Sequence, residues 1–356
     1  MVFGFMAAKL VYAAAELRIA DLLAEGPRTT AELAEPTAAG AASLRRLMRG
    51  LAGLGVVAET DPDRFELTEL GTPLRDSAPD SARSLVTMLC GPENWRSWGE
   101  LVPSLRNGES GWERAHGMTW VEYYERNPEQ SATFNKAMSE HTRGAAPGIL
   151  AAADLSRFRT VVDVGGGDGT LLAEALRAEQ GLQGVLFDLA SGLESAAETL
   201  AAAGVAERCR AVPGDFFASV PKGADAYLLK QVIHDWDDDE AIAILRNVRE
   251  AMAPGARVLI AERMLPELAG PADAQSLLVD VLMLVVTGGR ERTEREFHAL
   301  LEAAGLELSR LSEPLAPFDY RVIEATAAAV TPRTTAAGSG ATPGRRPIPS
   351  IVPGEA

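Results

Sequence analysis

The chain has 356 residues, of which 47% are hydrophobic and 24% are charged. This balance excludes wholesale disorder, and the length favours two domains over one. The formal net charge is −16 at pH 7, which repels phosphate backbones and argues against general nucleic-acid binding. Two cysteines cannot build a disulfide framework or a four-thiolate zinc site. With no secretory signal and no uncharged apolar run of ~18 residues, the sequence predicts a soluble cytoplasmic protein without a membrane partner.

The first part of the chain, from residue 1 to about residue 158, has a mostly helical pattern. Its first segment is predicted to form an amphipathic helix with apolar residues on one buried stripe. Thr29 and Glu32 are spaced as a capping box that begins another helix. A helix at residues 43–54 and short strands at 56–59 and 64–67 complete a winged-helix pattern. The residues predicted to face the core are Leu10, Ala14, Leu17 and Leu22 of the first segment and Leu44, Leu47, Met48, Leu51 and Leu54 of the helix at 43–54.

Strands alternate with helices in the second part, from about residue 159 to residue 327. Continuous apolar strands between helices predict a parallel sheet covered on both faces. The predicted fold class is therefore α/β, with a doubly wound, Rossmann-like domain after the helical domain. Residues 328–356 have the composition of a disordered tail. The predicted strands lie at residues 160–164, 184–188, 210–212, 226–230 and 257–261, and an antiparallel pair at 306–311 and 320–325 is predicted at the sheet edge.

The strongest motif is the run DVGGGDGT at residues 163–170, which follows the first of these strands and opens a helix. Glycines there let a ligand lie against bare backbone, and a helix N-terminus favours a negative group. A dinucleotide fingerprint would need another glycine where Thr170 stands. The pattern instead favours S-adenosylmethionine (SAM), a nucleoside without a pyrophosphate, whose ammonium group can face the nearby Asp163.

Acids at the ends of the next two strands extend this nucleoside site. Asp188 closes the second strand, where it can accept hydrogen bonds from both ribose hydroxyls. Asp215 follows the third strand and can take the adenine amino group, while Phe216 can pack on the ring. Each feature alone could be a turn or a helix cap. Together, at the carboxyl ends of successive strands, they predict SAM binding.

A histidine stands at the same edge, in the run KQVIHDWDDDE at residues 230–240. Methyl transfer from a sulfonium to a hydroxyl is easier if the hydroxyl loses its proton as it attacks, and a neutral imidazole can take that proton. His234 follows a strand of the nucleotide-binding half, so it is the candidate base; the alternative is a polar loop residue. The acids at 237–240 fit the first turn of a helix, and we predict no metal.

These motifs together resemble the SAM-dependent small-molecule O-methyltransferases. That family includes plant caffeate enzymes, acetylserotonin methyltransferase and bacterial natural-product tailoring enzymes. The resemblance extends over nearly all of the chain except the tail, and it implies a homodimer built through the helical domain and a small-molecule hydroxyl acceptor. It is carried by the glycine loop and by FDL at 187–189, GDFF at 214–217, the run at 230–239, GGRERT at 288–293 and FNKAMS at 134–139.

The resemblance also implies roles for particular residues. His234 would be the base, flanked by Glu262 and Glu291, which would fix its tautomer and stabilise the imidazolium. The alternative for both glutamates is a surface ion pair with a neighbouring arginine (Arg263, Arg290 or Arg292). The implied cofactor contacts are Gly165, Asp188, Asp215, Phe216 and Lys230, and we add Gly166 and Gly167 of the same loop. The positions implied to line the acceptor pocket, with core or interface packing as the alternative, are Trp98, Phe134, Met138 and Met283.

Two other functions fit parts of the sequence. A DNA-binding regulator would explain a winged helix whose second helix carries Arg45, Arg46 and Arg49. Some bacterial relatives in the family use SAM for hydroxylation or decarboxylation, but those lack the histidine base. The sequence therefore favours methylation. An aromatic or polyketide-derived hydroxyl is the expected acceptor, because a phenol of pKa ~10 can give its proton to an assisting histidine.

Overall fold

The structure is a computed structural model and describes residues 2–328. The predicted tail lies outside the described residues, apart from residue 328. Among the described residues, no helix is both long enough and apolar enough to cross a bilayer.

The N-terminal part consists of helices and one small antiparallel sheet. The helix–helix–hairpin order of the sequence prediction is present, and a short strand, β1, joins the hairpin through its pairing with β3. The helices are α1 (Gly4–Glu16), α2 (Ile19–Leu22), α3 (Thr30–Thr37), α4 (Ala41–Gly53), α5 (Arg83–Cys90), α6 (Pro92–Gly99), α7 (Leu101–Asn107), α8 (Gly111–His116), α9 (Trp120–Arg126) and α10 (Pro128–Ala153). The strands are β1 (Arg28–Thr29), β2 (Val57–Asp61) and β3 (Arg64–Leu67).

Some local sequence signals in this part agree with the structure and others do not. The capping box is confirmed, since Thr29 Oγ1 accepts a hydrogen bond from the Glu32 N–H and the Thr29 N–H donates to Glu32 Oε2. The predicted first helix is two helices, because Arg18 has a φ of 54° that interrupts it. The prediction that Leu54 faces the core is wrong. Its helix ends one residue earlier, and Leu54 is 37% exposed.

The C-terminal part is built on one large sheet. Its strands are β4 (Thr160–Val164), β5 (Gln183–Asp188), β6 (Cys209–Pro213), β7 (Ala226–Lys230), β8 (Arg257–Leu265), β9 (Arg292–Thr293), β10 (Leu306–Leu311) and β11 (Tyr320–Ala327). The strand order is β10-β11-β8-β7-β4-β5-β6, with β9 paired to β8. β10 and β11 are antiparallel, as predicted, and β10 forms the edge. The helices are α11 (Thr170–Ala178), α12 (Ala196–Ala202), α13 (Asp238–Ala251), α14 (Ala274–Val286) and α15 (Glu294–Ala304).

The strand order creates a crevice at the carboxyl end of β4. The chain continues from β4 to β5 on one side and later returns to β7 on the other, which makes a topological switch point of the kind where open α/β sheets bind ligands. Helices cover both faces of the sheet: side chains of α13 and α15 fill one face and those of α10, α11 and α12 the other. Since α10 also belongs to the helical part, it joins that part to the sheet.

Candidate active site

The glycine loop after β4 has a conformation that requires glycine. Gly165, Gly167 and Gly169 have φ values of 69°, 57° and 80°, a region that other residues rarely adopt. A Cβ on Gly166 would lie 2.5 Å from Leu186 Cδ1 and 2.7 Å from the carboxyl carbon of Asp163. The loop therefore presents backbone without side chains at the switch point.

Asp188 ties the end of β5 to this loop. Its Oδ2 accepts a hydrogen bond of 2.7 Å from the Gly167 N–H, and its Oδ1 accepts one of 2.6 Å from the Leu189 N–H. Burial raises the pKa of Asp188, although both backbone donors oppose the shift. The carboxylate keeps further lone pairs, so it can still accept from ribose hydroxyls.

Asp163 is buried at the end of β4 and its Oδ2 has no hydrogen-bond partner among the described residues. Burial, with the nearby charge of Asp188, raises its pKa to about 7. A buried carboxyl oxygen without a hydrogen-bond partner is costly, and a cationic group placed beside the loop would relieve that cost. The pair of Asp163 and Asp188 thus fits a ligand that carries both an ammonium group and a ribose.

The loop after β6 supplies aromatic surface beside the glycines. Asp215 Oδ1 accepts a hydrogen bond from the Phe217 N–H at 2.8 Å. The ring of Phe216 packs edge-on against Trp236 and lies close to Gly165. Asn247 of α13 donates to the carbonyl oxygens of Phe216 and Phe217 at 2.8 Å. No sequence motif predicted this contact, because Asn247 lies about thirty residues after the two phenylalanines.

Helix α10 contacts the crevice from the helical part. Ser139 Oγ lies 2.5 Å from Asp168 Oδ2 of the glycine loop, and Thr142 Oγ1 accepts a hydrogen bond of 2.9 Å from Lys230 Nζ. Burial lowers the pKa of Lys230 to about 7. Gln231, which also accepts from Lys230 Nζ, has a φ of 54°. These hydroxyl contacts were not predicted, because they join residues far apart in the sequence.

His234 lies in a one-turn 3₁₀ helix after β7 and is only 5% exposed. Its Nδ1 lies 2.9 Å from Glu291 Oε1, which places the ring proton on Nδ1 as a donor. Nε2 is 3.7 Å from Asp235 Oδ1 and forms no hydrogen bond with a described residue. The imidazole is therefore oriented through one nitrogen and free at the other.

Glu262 supports the same histidine mainly through the backbone. Its Oε1 accepts hydrogen bonds of 2.9 Å from the N–H groups of Val232 and Ile233, and its Oε2 lies 3.6 Å from His234 Nδ1. The alternative reading of both glutamates as surface ion pairs does not hold, because both are fully buried. The neighbouring arginines have other partners: Arg290 pairs with Glu296, Arg292 with Asp238, and Arg263 contacts Tyr320 and His141.

The GGRERT motif contacts and hydrogen-bonds the backbone around His234. A Cβ on Gly289 would lie 2.1 Å from the His234 carbonyl oxygen, so only glycine permits this approach. The Arg290 N–H donates to that same oxygen at 2.8 Å. Arg292, which is 1% exposed, donates to the carbonyl oxygens of Ile233 and Trp236. The motif therefore holds the histidine loop as well as supplying Glu291.

Ionised glutamates beside His234 favour its protonated form. Burial lowers the pKa of His234, but the charges of Glu262 and Glu291, when both are ionised, outweigh burial and raise it to about 10. The acids at residues 237–240 belong to the start of α13, as predicted. Asp237 caps this helix, and its Oδ1 accepts a hydrogen bond from the Glu240 N–H.

The four residues implied for the acceptor pocket lie on three helices. Phe134 and Met138 are one turn apart on α10, and Phe134 stacks on Tyr124 with 4.7 Å between ring centroids. Trp98 is on α6, which packs against α14. Met283 of α14 is buried one turn after Asp280, whose Oδ1 accepts from the Glu291 N–H. The structure thus connects Met283 to the histidine cluster through α14, and Met138 to the glycine loop through α10.

Family models match two stretches of the chain. Residues 95–307 match the O-methyltransferase domain, and residues 1–75 match the O-methyltransferase dimerisation domain. The chain belongs to the O-methyltransferase family. It is a SAM-dependent O-methyltransferase of the kind that tailors natural products, as the sequence motifs predicted, and its class I methyltransferase fold follows an N-terminal dimerisation domain.

Three relatives illustrate this membership. The chain is 41% identical to a mitomycin biosynthesis 6-O-methyltransferase of Streptomyces lavendulae, over 90% of this chain and 91% of that one. It is 40% identical to the phenazine O-methyltransferase PhzM of Lysobacter antibioticus, over 87% and 90%. An O-methyltransferase from neocarzinostatin biosynthesis (NcsB1), solved with SAM and 2-hydroxy-5-methyl naphthoic acid, superposes with a TM-score of 0.78 at 35% identity, over 90% of this chain and 96% of that one. SAM is therefore the cofactor of this family member.

Proposed function

We propose that this O-methyltransferase moves the methyl group of SAM to a phenolic or polyketide-type hydroxyl of a small natural product, with His234 as the general base. The observation that carries the proposal is the position of the imidazole. It is buried, held through Nδ1 by Glu291, and free at Nε2. A base must be oriented and have an available lone pair, and this arrangement provides both.

The cofactor assignments form part of the same proposal. The bare backbone of Gly165, Gly166 and Gly167 would lie against the methionine portion of SAM, with the orphaned Asp163 carboxyl near its ammonium group. Asp188 would accept from the ribose hydroxyls. The adenine would lie beside Asp215 and Phe216. Lys230, at the end of β7, would contact the cofactor from the side of the crevice that α10 covers. SAM supplies an electrophilic methyl group on a sulfonium.

Each residue around His234 then has a defined part in the transfer. Nε2 takes the proton of the acceptor hydroxyl as its oxygen bonds to the methyl group, and the carbon–sulfur bond breaks to leave a neutral thioether. Glu291 stabilises the imidazolium that forms. Glu262 and Arg292 keep the histidine backbone in place through their bonds to residues 232, 233 and 236. The imidazolium afterwards releases its proton to water.

The acceptor class is supported by the helices around the site and by the relatives. Phe134 and Met138 on α10, with Trp98 and Met283, would offer an apolar surface suited to an aromatic ring. NcsB1 binds a hydroxylated naphthoic acid. The direct test is a screen of phenolic acceptors with SAM labelled in its methyl group. Label in an O-methylated product supports the proposal, whereas an altered acceptor that carries no label would favour the hydroxylase or decarboxylase chemistry.

Changing Glu262 and Glu291 together to glutamine is expected to move the pH profile of the enzyme. The charges of both glutamates raise the pKa of His234, so the neutral base forms only as the pH rises, and the acidic limb of kcat reflects this. Removing both negative charges lowers the pKa of His234 and should shift the limb to lower pH while kcat falls. An unmoved limb in the double variant Glu262→Gln/Glu291→Gln would show that His234 does not control it.

We also propose a homodimer formed through the helical domain, with domain limits at residues 1–158 and 159–327. Helix α1 and its flank expose large apolar side chains: Phe3 is 73% exposed and Phe5 52% exposed. Exposed apolar patches of this kind mark interaction surfaces. Light scattering should give a dimer for the wild type and a monomer for the double variant Phe3→Ser/Phe5→Ser. A monomeric wild type would contradict the proposal.

The DNA-binding alternative has little support from the geometry of α4. Arg45 lies 3.5 Å from Asp63 and Arg49 lies 3.9 Å from Glu59. These hairpin acids offset the arginine charges that a phosphate backbone would need to meet.

A further inference from the structure

The histidine cluster contains more acid than base. Glu262 and Glu291 lie beside Nδ1 of His234, and Asp235 lies beside Nε2. One ring nitrogen of His234 and one oxygen of each glutamate lie within 4.8 Å of one another. Among the described residues, no lysine or arginine nitrogen comes within 4.0 Å of either glutamate. The charged groups packed nearby have other contacts: Lys230 on β7 bonds to Thr142, Arg263 on β8 contacts Tyr320, Arg292 on β9 pairs with Asp238, and Asp280 on α14 accepts from the backbone of Glu291.

Two oxygens in this cluster have no hydrogen-bond partner. Glu262 Oε2 and Glu291 Oε2 are both buried and both unpaired among the described residues. An ionised oxygen in such a place loses its hydration without receiving a donor, which is expensive. A single proton on one of these oxygens would create a donor, and the other oxygen would be its acceptor after a small rotation of a side chain.

One proton can therefore be shared among His234, Glu262 and Glu291 in two ways. On the imidazole, it leaves three charges on these groups, namely one imidazolium and two carboxylates. On a glutamate, it leaves one. Asp235, whose side chain is 20% exposed, is the same in both arrangements. Burial disfavours every charged form, so the second arrangement avoids two costs of desolvation.

We infer that at neutral pH the Glu262–Glu291 pair holds a proton on Glu262, so that His234 is neutral and its Nε2 lone pair is available. The inference rests on the proposed role of His234 as base and adds the protonation state in which that base works. Burial and the charge of Glu291 raise the pKa of Glu262 to about 7, against the opposing influence of His234. The raised pKa of His234 depends on ionised glutamates, and a proton on Glu262 removes the larger of their two charge contributions.

The proton on Glu262 also explains how a base can work inside an acidic cluster. If both glutamates were ionised, they would hold a proton on His234, and Nε2 would have no lone pair for the acceptor hydroxyl. With Glu262 neutral, only Glu291 is left as the counter-charge. The proton of the acceptor then moves to Nε2, and the resulting imidazolium faces one ionised carboxylate.

Infrared spectroscopy of the full chain, without acceptor, tests this inference. A protonated carboxyl group has its own carbonyl band, which shifts when the protein carries isotope-labelled glutamate. We expect this band at neutral pH in the wild type and its loss at high pH. The band should be absent in Glu262→Gln, and absent in Glu291→Gln because removal of the adjacent charge lets Glu262 ionise. A matched control is Glu140→Gln, since Glu140 is a buried glutamate on α10 that accepts two hydrogen bonds from Ser84; this variant should keep the band.

Absence of the band in the wild type at neutral pH, or its persistence in Glu262→Gln, would overturn the inference. If both variants fail to fold, the pH titration of the labelled wild type still decides. The result does not depend on methyl transfer. A wild type that shows the band but remains active after loss of His234 would refute the proposed base and leave the protonated pair in place.

Discussion

His234→Ala is expected to lower kcat by ~10²–10⁴, the range associated with losing a general base. The imidazole is buried and its Nε2 forms no hydrogen bond with a described residue, so Nε2 is the atom that would take the proton of the acceptor hydroxyl. The affinity for SAM should change little, because the proposed cofactor contacts lie on the glycine loop and at the ends of β5 and β6. Turnover is measured with labelled SAM and affinity by calorimetry.

His298→Ala provides the matched control. His298 lies on α15 and is exposed, so its loss should leave turnover at the level of the wild type. Equal turnover of His234→Ala and His298→Ala would remove His234 from the mechanism. A loss of SAM binding in His234→Ala would instead assign His234 to the cofactor site.

Asp188→Ala is expected to weaken SAM binding by about 10²-fold. Hydrogen bonds to charged groups contribute about 1.5–3 kcal/mol each, and about 1.4 kcal/mol corresponds to a factor of ten. The variant would lose the proposed ribose contacts and also the bond from the Gly167 N–H that shapes the loop. Asp188→Asn keeps one side-chain oxygen and should give an intermediate affinity.

Asp225→Ala is the control for this experiment. Asp225 Oδ2 also accepts two backbone hydrogen bonds, from the N–H groups of Arg159 and Thr160, but it lies at the opposite end of β4. Its loss should lower thermal stability without weakening SAM binding. Equal SAM affinity in Asp188→Ala and the wild type would place the ribose elsewhere.

Local patterns in the sequence predicted the parts of the fold that depend on neighbouring residues. The bounds of β4, β7 and β10 agree with the predictions. β4 and β7 are mostly apolar stretches between turn residues, which mark buried strands. In β10, Leu306 and Leu308 alternate with polar residues, which marks a strand with one buried face. The short strands β1 and β9 were missed. Two residues carry no periodicity, and each strand exists only because a distant strand pairs with it.

The same distinction applies to the candidate site. Sequence motifs predicted Asp188 and His234, since Asp188 ends a recognisable strand and His234 follows one. The sequence could not predict that Glu291 contacts the ring of His234 while Glu262 contacts the backbone beside it. Glu262 accepts hydrogen bonds from N–H groups about thirty residues before it in the chain. The contacts of Ser139 and Thr142 were hidden for a similar reason: they depend on how α10 crosses the ends of the strands.

A crystal structure with S-adenosylhomocysteine, the demethylated cofactor, would test the central claim most directly. The account predicts the ribose on Asp188, the adenine beside Phe216, and the sulfur facing the side of the crevice where His234 Nε2 is free. A vacant crevice at the end of β4, or an imidazole directed away from the bound sulfur, would contradict it.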